Sequence, residues 1–283
     1  MPMKTIVTII FSIVIIFGAC KQTANESSTD QDLQIYLCFG QSNMEGVGVI
    51  EPQDTIVDDR FMVYQSIDCL EKGYTKRTWR TAVPPLSNCE AGLSVADYFG
   101  RTMAENLPAQ TKVGLVTVAI GGCDIRLFDK DIYADYDSTY AEKWFTDKIA
   151  YYNGNPYKYL VDLAKKAQED GEIKGILLHQ GETNTGDTLW PMYVQKIYDD
   201  LMLDLSLDPQ RVPLLAGEVV GVDSSCCAKM NPIINTLPEF IETAHVISSE
   251  GCGAMDIAHF DSEGYRIMGR RYADKMYSLH SDN

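Results

Sequence analysis

An α/β fold built on a mostly parallel five-stranded sheet with helices on both faces is predicted from three observations. Five short apolar runs recur along the chain. Segments with apolar residues at helical spacing alternate with them. The residues able to do chemistry cluster just after the apolar runs end. The runs are Ile35 to Phe39, Val113 to Ala119, Gly175 to Leu178, Pro213 to Ala216 and His245 to Ser248, the Leu-rich fourth being the least strand-like. The helical segments are Leu93 to Asn106, Tyr157 to Glu169, Leu189 to Leu205 and Ser262 to Leu279. Glu45 to Cys89 contains Pro84-Pro85 and two cysteines and is long for a connection, so it is expected to be irregular and to build the rim of a site.

The first nineteen residues lie outside this domain. Lys4 supplies a basic start, and Ile6 to Phe17 is apolar but too short to span a bilayer, the pattern of an export signal. Phe17-Gly18-Ala19-Cys20 resembles a lipoprotein box, which implies cleavage before Cys20 and lipid on its sulfur; the alternatives are a retained anchor helix or an ordinary cleavage site. Residues 20–32 are polar and are expected to be a tether, leaving 33–283 as one domain. The expected location is a periplasm-facing or surface-exposed lipoprotein, with Lys21 compatible with the outer membrane. Membrane association is expected through lipidated Cys20 only.

The formal charge of −16, made one unit more negative by loss of Lys4, disfavours nucleic acid and other polyanions as partners and favours neutral ones. With Cys20 lipidated, Cys38, Cys69, Cys89, Cys123, Cys226, Cys227 and Cys252 remain, an odd number, so at least one thiol must stay unpaired within the chain. Cys38 sits in an apolar strand and is expected to be packing. No cysteine pair has CxxC spacing, and His179, His245, His259 and His280 are dispersed, so no metal is assigned.

Gly40-Gln41-Ser42-Asn43-Met44 follows the first strand, Gly121-Gly122-Cys123-Asp124 the second and His179-Gln180-Gly181-Glu182 the third; Asp256-Ile257-Ala258-His259 follows the last. Ligands in such sheets bind beyond the carboxyl ends of the strands. A serine hydroxyl needs a histidine to take its proton, and usually a carboxylate to orient that histidine. Asp256 and His259, three residues apart, can meet these needs on a tight loop. An oxyanion needs preorganised donors, and Gly121-Gly122 and Gln180 are residues of the types that supply them. Taken singly, the glycine pair reads as a turn, Gln180 as a loop cap and His259 as a helix-start residue; their placement at successive strand ends favours catalysis.

These residues resemble the carbohydrate esterases that include acetylxylan esterases and sialate O-acetylesterases, within the SGNH hydrolases. The matching motifs are Gly40 to Gly46, Val116 to Gly122, Glu172 to Glu182 and Asp256 to His259, spanning nearly the whole domain. The resemblance implies a three-layer α/β/α sandwich, with Ser42 as nucleophile, His259 as general base and acid, and Asp256 as its orienting partner. It also implies an oxyanion hole from the amides of Ser42 and Gly122, with Gly121 as the alternative glycine, plus the Gln180 side chain. Gln41, Asn43 and Glu182 are expected to support the site, and an acetylated carbohydrate to be the substrate, acetylxylan-type favoured over sialate-type. No cofactor is required. The chain departs from the family pattern at Cys123, where threonine is frequent, and at Phe128, where tryptophan is found nearby.

A classical α/β-hydrolase elbow fits less well, because Met44 stands where the second glycine of Gly-x-Ser-x-Gly belongs. Gly46-Val47-Gly48 lacks the rest of a phosphate loop. Two further alternatives are a glycan-binding lipoprotein without turnover, using Trp79, Trp144 and Trp190 as sugar platforms, and a lipid esterase or thioesterase on the same fold.

Overall fold

A computed structural model of the chain describes residues 1–2, 32–137 and 142–281. Residues 3–19 of the expected signal, Cys20 and the tether as far as Gln31 therefore lie outside the described residues. The sheet has seven strands in the order β3-β2-β4-β1-β5-β6-β7. They are β1 Leu33–Gly40, β2 Phe61–Tyr64, β3 Trp79–Thr81, β4 Lys112–Ala119, β5 Glu172–His179, β6 Leu214–Gly217 and β7 Ala244–Ile247. Only the β2–β3 pair is antiparallel. The helices are α1 Ser42–Glu45, α2 Val95–Asn106, α3 Tyr133–Asp137, α4 Lys143–Tyr151, α5 Pro156–Ala167, α6 Trp190–Asp204, α7 Asn231–Ile234 and α8 Ser262–Ser281.

All five expected strands and all four expected helical segments form. Side chains alternate along β1 and so build two cores. Ile35, Leu37 and Phe39 pack with Leu160 and Leu163 of α5 and with Val194 and Leu201 of α6. Tyr36 and Cys38 pack with Phe99 and Met103 of α2 and with Met268 and Tyr272 of α8. The result is the three-layer α/β/α sandwich. Local signals fix the helix starts: Ser94 and Asp97 form a capping box at α2, and Asn155 Oδ1 accepts the Lys158 amide ahead of Pro156 at α5.

The sheet is larger than the five strands expected, and the reason lies in Glu45 to Cys89. This segment is not irregular throughout: β2 pairs in parallel with β4, Phe61 opposite Val113 and Tyr64 opposite Val116, and β3 turns back along it. Strands of four and three residues carry almost no periodic signal, and these exist because β4 offers an open edge. The segment is pinned by the Cys69–Cys89 disulfide and by buried Arg266 of α8, which donates to Asp54 Oδ2 at 2.9 Å and to Glu51 Oε2.

Central β1 pairs with β4 and β5 so that Gly40 lies opposite both Ala119 and His179. The turns after the three strands are thereby brought to one place at the carboxyl edge.

Candidate active site

At the end of β1 the chain passes so close to β5 that a Cβ on Gly40 would lie 2.1 Å from the His179 carbonyl oxygen; its φ of +144° also favours glycine. The next turn begins α1 and presents Ser42. Ser42 Oγ lies 2.9 Å from His259 Nε2, and His259 Nδ1 lies 2.8 Å from Asp256 Oδ2. The Asp-x-x-His loop is tight because Asp256 Oδ1 accepts the amides of Ala258 and His259, both at 2.8 Å, while the Met255 amide donates to the His259 carbonyl. Burial opposes ionisation of Asp256, but hydrogen bonds from the His259 ring and from the two amides outweigh it and hold the carboxyl below the usual range.

Asn43 joins the serine turn to this loop. Its Nδ2 donates to Glu182 Oε1 at 2.5 Å and to the Ala258 carbonyl at 3.0 Å, and its Oδ1 accepts from the Tyr265 hydroxyl at 2.6 Å. The Glu182 side chain also meets the backbone amides of Gly181 and Glu182, which oppose the effect of burial without outweighing it. Burial pushes its carboxyl up to about 7, and Oε2 is buried without a partner among the described residues.

The expected oxyanion donors separate into two groups. The Gly121 amide donates to Glu45 Oε2 at 2.9 Å and is occupied. The Gly122 amide has no acceptor among the described residues, its left-handed φ is +79°, and its carbonyl accepts from Thr183 Oγ1. Of the two glycines, Gly122 is therefore the one with a free donor. The Ser42 amide, in the first turn of α1, likewise lacks an intrahelical acceptor.

The expectation for Gln180 is corrected. Its side chain is 1% exposed and does not line the cleft. Trp190 Nε1, which can only donate, donates to Gln180 Oε1 and so settles which end is oxygen. The Gln180 amide hydrogens then go to Asn184 Oδ1, Gln41 Oε1 and the Cys123 carbonyl, at 2.6, 3.1 and 3.1 Å. Gln41 instead lines the cleft. Its oxygen also accepts the Gly181 and Thr183 amides, which leaves its Nε2 hydrogens without an acceptor among the described residues. Position immediately before the serine was the signal that could have marked Gln41 as a donor.

These groups open on a cleft of about 440 Å³ whose walls include Ser42, Gly122, Trp144, Thr183, Cys226, Cys227 and His259. Of the three tryptophans, Trp144 alone is in it; Trp190 is buried, and Trp79 packs on Tyr64 with its indole N–H on Asp170. Cys123 is fully buried 3.5 Å from the Gly40 carbonyl, and burial pushes its thiol up, so it is no nucleophile. Phe128 packs in the core against Phe39. His179 is a buried core residue beside Tyr272, pushed down to about 3 by desolvation. A larger cavity of about 750 Å³ lies around the Cys69–Cys89 disulfide and contains no serine or histidine. That cavity, rather than the cleft beside Ser42 and His259, takes most of its wall from Glu45 to Cys89.

Over residues 32–278 the chain matches the family described as carbohydrate esterase, sialic acid-specific acetylesterase. The chain belongs to this family. Three solved structures share the fold of this carbohydrate esterase. A protein from Arabidopsis thaliana superposes with a TM-score of 0.66 at 18% identity, covering 87% of this chain and 98% of that one. A carbohydrate acetylesterase from Xanthomonas citri gives 0.62 at 16% identity over 88% of this chain and 57% of its own. NanS gives 0.62 at 16% identity over 89% and 99%. At these identities the likeness to the esterase chain is one of fold.

Proposed function

We propose that this carbohydrate esterase removes O-acetyl groups from a neutral polysaccharide or oligosaccharide through a serine acyl-enzyme. The observation that carries the reading is the continuous hydrogen-bonded chain Ser42–His259–Asp256 opening on a cleft beside the free Gly122 amide.

In the first step Ser42 Oγ attacks the acetyl carbonyl carbon while His259 Nε2 takes its proton. The carbonyl electron pair moves to oxygen, where the amides of Ser42 and Gly122 and the Gln41 side chain can receive it. Asp256 holds the Nδ1 proton and stabilises the imidazolium. Collapse expels the sugar oxygen, protonated by His259. Water then attacks the acetyl-enzyme by the same route, releasing acetate and restoring Ser42.

The preference for a neutral sugar rests on charge. Among the described residues the one Lys or Arg lining the cleft is Lys148, paired with both oxygens of buried Glu45 at 2.9 and 2.7 Å, so none of them offers an unpaired cation there for a sialate carboxylate. Export, with lipid on Cys20, is the location we propose, supported by the Phe17 to Cys20 box.

The test is acetate release from acetylated xylan, O-acetylated sialic acid and a long-chain ester, wild type beside Ser42→Ala. Release from xylan that vanishes in the variant is expected. Preference for the sialic acid would overturn the neutral-substrate reading. Cleavage of the long-chain ester alone would make this a lipid esterase, and no release at all would leave a binding protein.

A further inference from the structure

Cys226 and Cys227 are adjacent in sequence and joined to each other by a disulfide. They lie on the loop after β6, at the carboxyl edge, and both line the cleft that holds Ser42 and His259. The pair is unequal. Cys227 is 6% exposed and packs into the core with Met230 and Ile234, whereas Cys226 is exposed. The Cys226 amide donates to the Ile257 carbonyl at 2.9 Å, which fixes the disulfide beside the Asp256-Ile257-Ala258-His259 loop.

We infer that the Cys226–Cys227 disulfide is a substrate-contacting wall for the sugar ring and a determinant of specificity for carbohydrate over small esters. This rests on the esterase reading above. The side of the cleft follows from the chemistry: the departing sugar oxygen must come within hydrogen-bond reach of His259 Nε2, so the sugar occupies the side walled by the His259 loop and the disulfide tied to it.

The surface suits a sugar. Two sulfurs joined between neighbouring residues form a small ring that has lost its side-chain freedom, so contact with it orders nothing further. A disulfide carries no charge and no donor, and its sulfur is polarisable. It therefore meets the C–H face of a pyranose by dispersion without desolvating a polar group. Elsewhere a disulfide staples distant parts of a chain, as Cys69–Cys89 does across 20 residues; between adjacent residues it closes no loop, and stapling does not account for it.

The experiment compares the whole protein with its Cys226→Ser/Cys227→Ser variant on an acetylated xylo-oligosaccharide and on ethyl acetate, whose leaving group has no ring to lay against the disulfide. The variant keeps the backbone bond to Ile257, so the triad remains. KM for the oligosaccharide is expected to rise roughly five- to tenfold with kcat little changed, while acetate release from ethyl acetate stays within about twofold. An unchanged oligosaccharide KM overturns the proposal. So does an equal fall on both esters, which would mean that the disulfide only holds the His259 loop. If the variant does not fold, the same comparison is made on wild type before and after mild phosphine treatment, with peptide mapping to verify that Cys226–Cys227 is open and Cys69–Cys89 intact. The tryptic peptide ending at Lys229 must, untreated, be lighter by two hydrogens than its dithiol form, and finding free thiols there overturns the proposal directly. Wild type inert toward both esters would instead bring down the esterase reading, and this proposal with it.

Discussion

Two carboxylates stand near His259, and they have opposite environments. The Asp256 side chain is 47% exposed, yet it accepts from the imidazole and from two amides and is held below its usual range. Glu182 is 9% exposed, accepts from Asn43, keeps one oxygen unpartnered and is pushed up to about 7 by burial. A carboxylate that is to orient a histidine and stabilise its cation must be charged and must touch the ring. Asp256 meets both conditions. Glu182 meets neither below neutral pH, and its place is to hold Asn43, which ties the serine turn to the histidine loop. Burial alone is thus a poor guide to which acid serves the histidine.

The comparison can be broken most sharply by exchanging each acid for its amide. Asp256→Asn is expected to lower kcat roughly a thousandfold or more without unfolding the protein, and Glu182→Gln by less than about tenfold. Steady-state rates on p-nitrophenyl acetate check this, and the reverse ranking would make Glu182 the orienting acid. A similar contrast divides the two glutamines: Gln41→Ala is expected to reduce kcat of the folded enzyme about a hundredfold, with a loss of stability besides, because the Gln180 side chain and the Gly181 and Thr183 amides lose their acceptor. Gln180→Ala, which orphans the buried Trp190 indole N–H, is expected to destabilise by about 1–3 kcal/mol. Rates and denaturant midpoints measured together separate them, and a stable but inactive Gln180→Ala would return that residue to the oxyanion hole.

Acidity sharpens the comparison further. Because burial raises Glu182 from 4.5 to about 7, the folded state holds a proton that the unfolded chain has already lost across that window. Glu182 therefore favours folding below about pH 4.5, and this contribution is lost as pH rises toward 7. Glu182→Gln should flatten the decline by about 2 kcal/mol between pH 5 and 8, read by denaturant unfolding. Buried Asp97, also raised to about 7, adds a decline of the same sign that the variant keeps. An unaltered pH profile in Glu182→Gln would mean that Glu182 ionises normally in the fold. The smallest effect concerns the segment from Glu45 to Cys89: Arg266→Lys, losing bonds to Asp54 and Glu51, should lower the melting temperature without altering kcat.

Most of the fold was legible because central strands and amphipathic helices write their burial into residue spacing. β1 is apolar at almost every position from Leu33 to Gly40, and α5 keeps Leu160, Leu163 and Ala164 on one face. That Ser42, His259 and Asp256 come together in one hydrogen-bonded line was legible as well, since a strand-end turn and an Asp-x-x-His loop are short-range patterns. Phe61 to Tyr64 was not, since four apolar residues become a strand only when β4 is beside them.

By itself the sequence determined the order of strands and helices, the motif at each strand end and the acidic surface, all properties of residue type and near-neighbour spacing. Tertiary structure alone decided which glutamine faces the cleft, which glycine amide is free, which carboxylate stays charged and that Cys226 pairs with Cys227. The first three depend on a partner or on burial supplied from elsewhere in the fold: Trp190 for Gln180, Glu45 for Gly121 and the packing that buries Glu182. The Cys226–Cys227 bond joins neighbours, but an odd set of seven cysteines left its pairing open in the sequence.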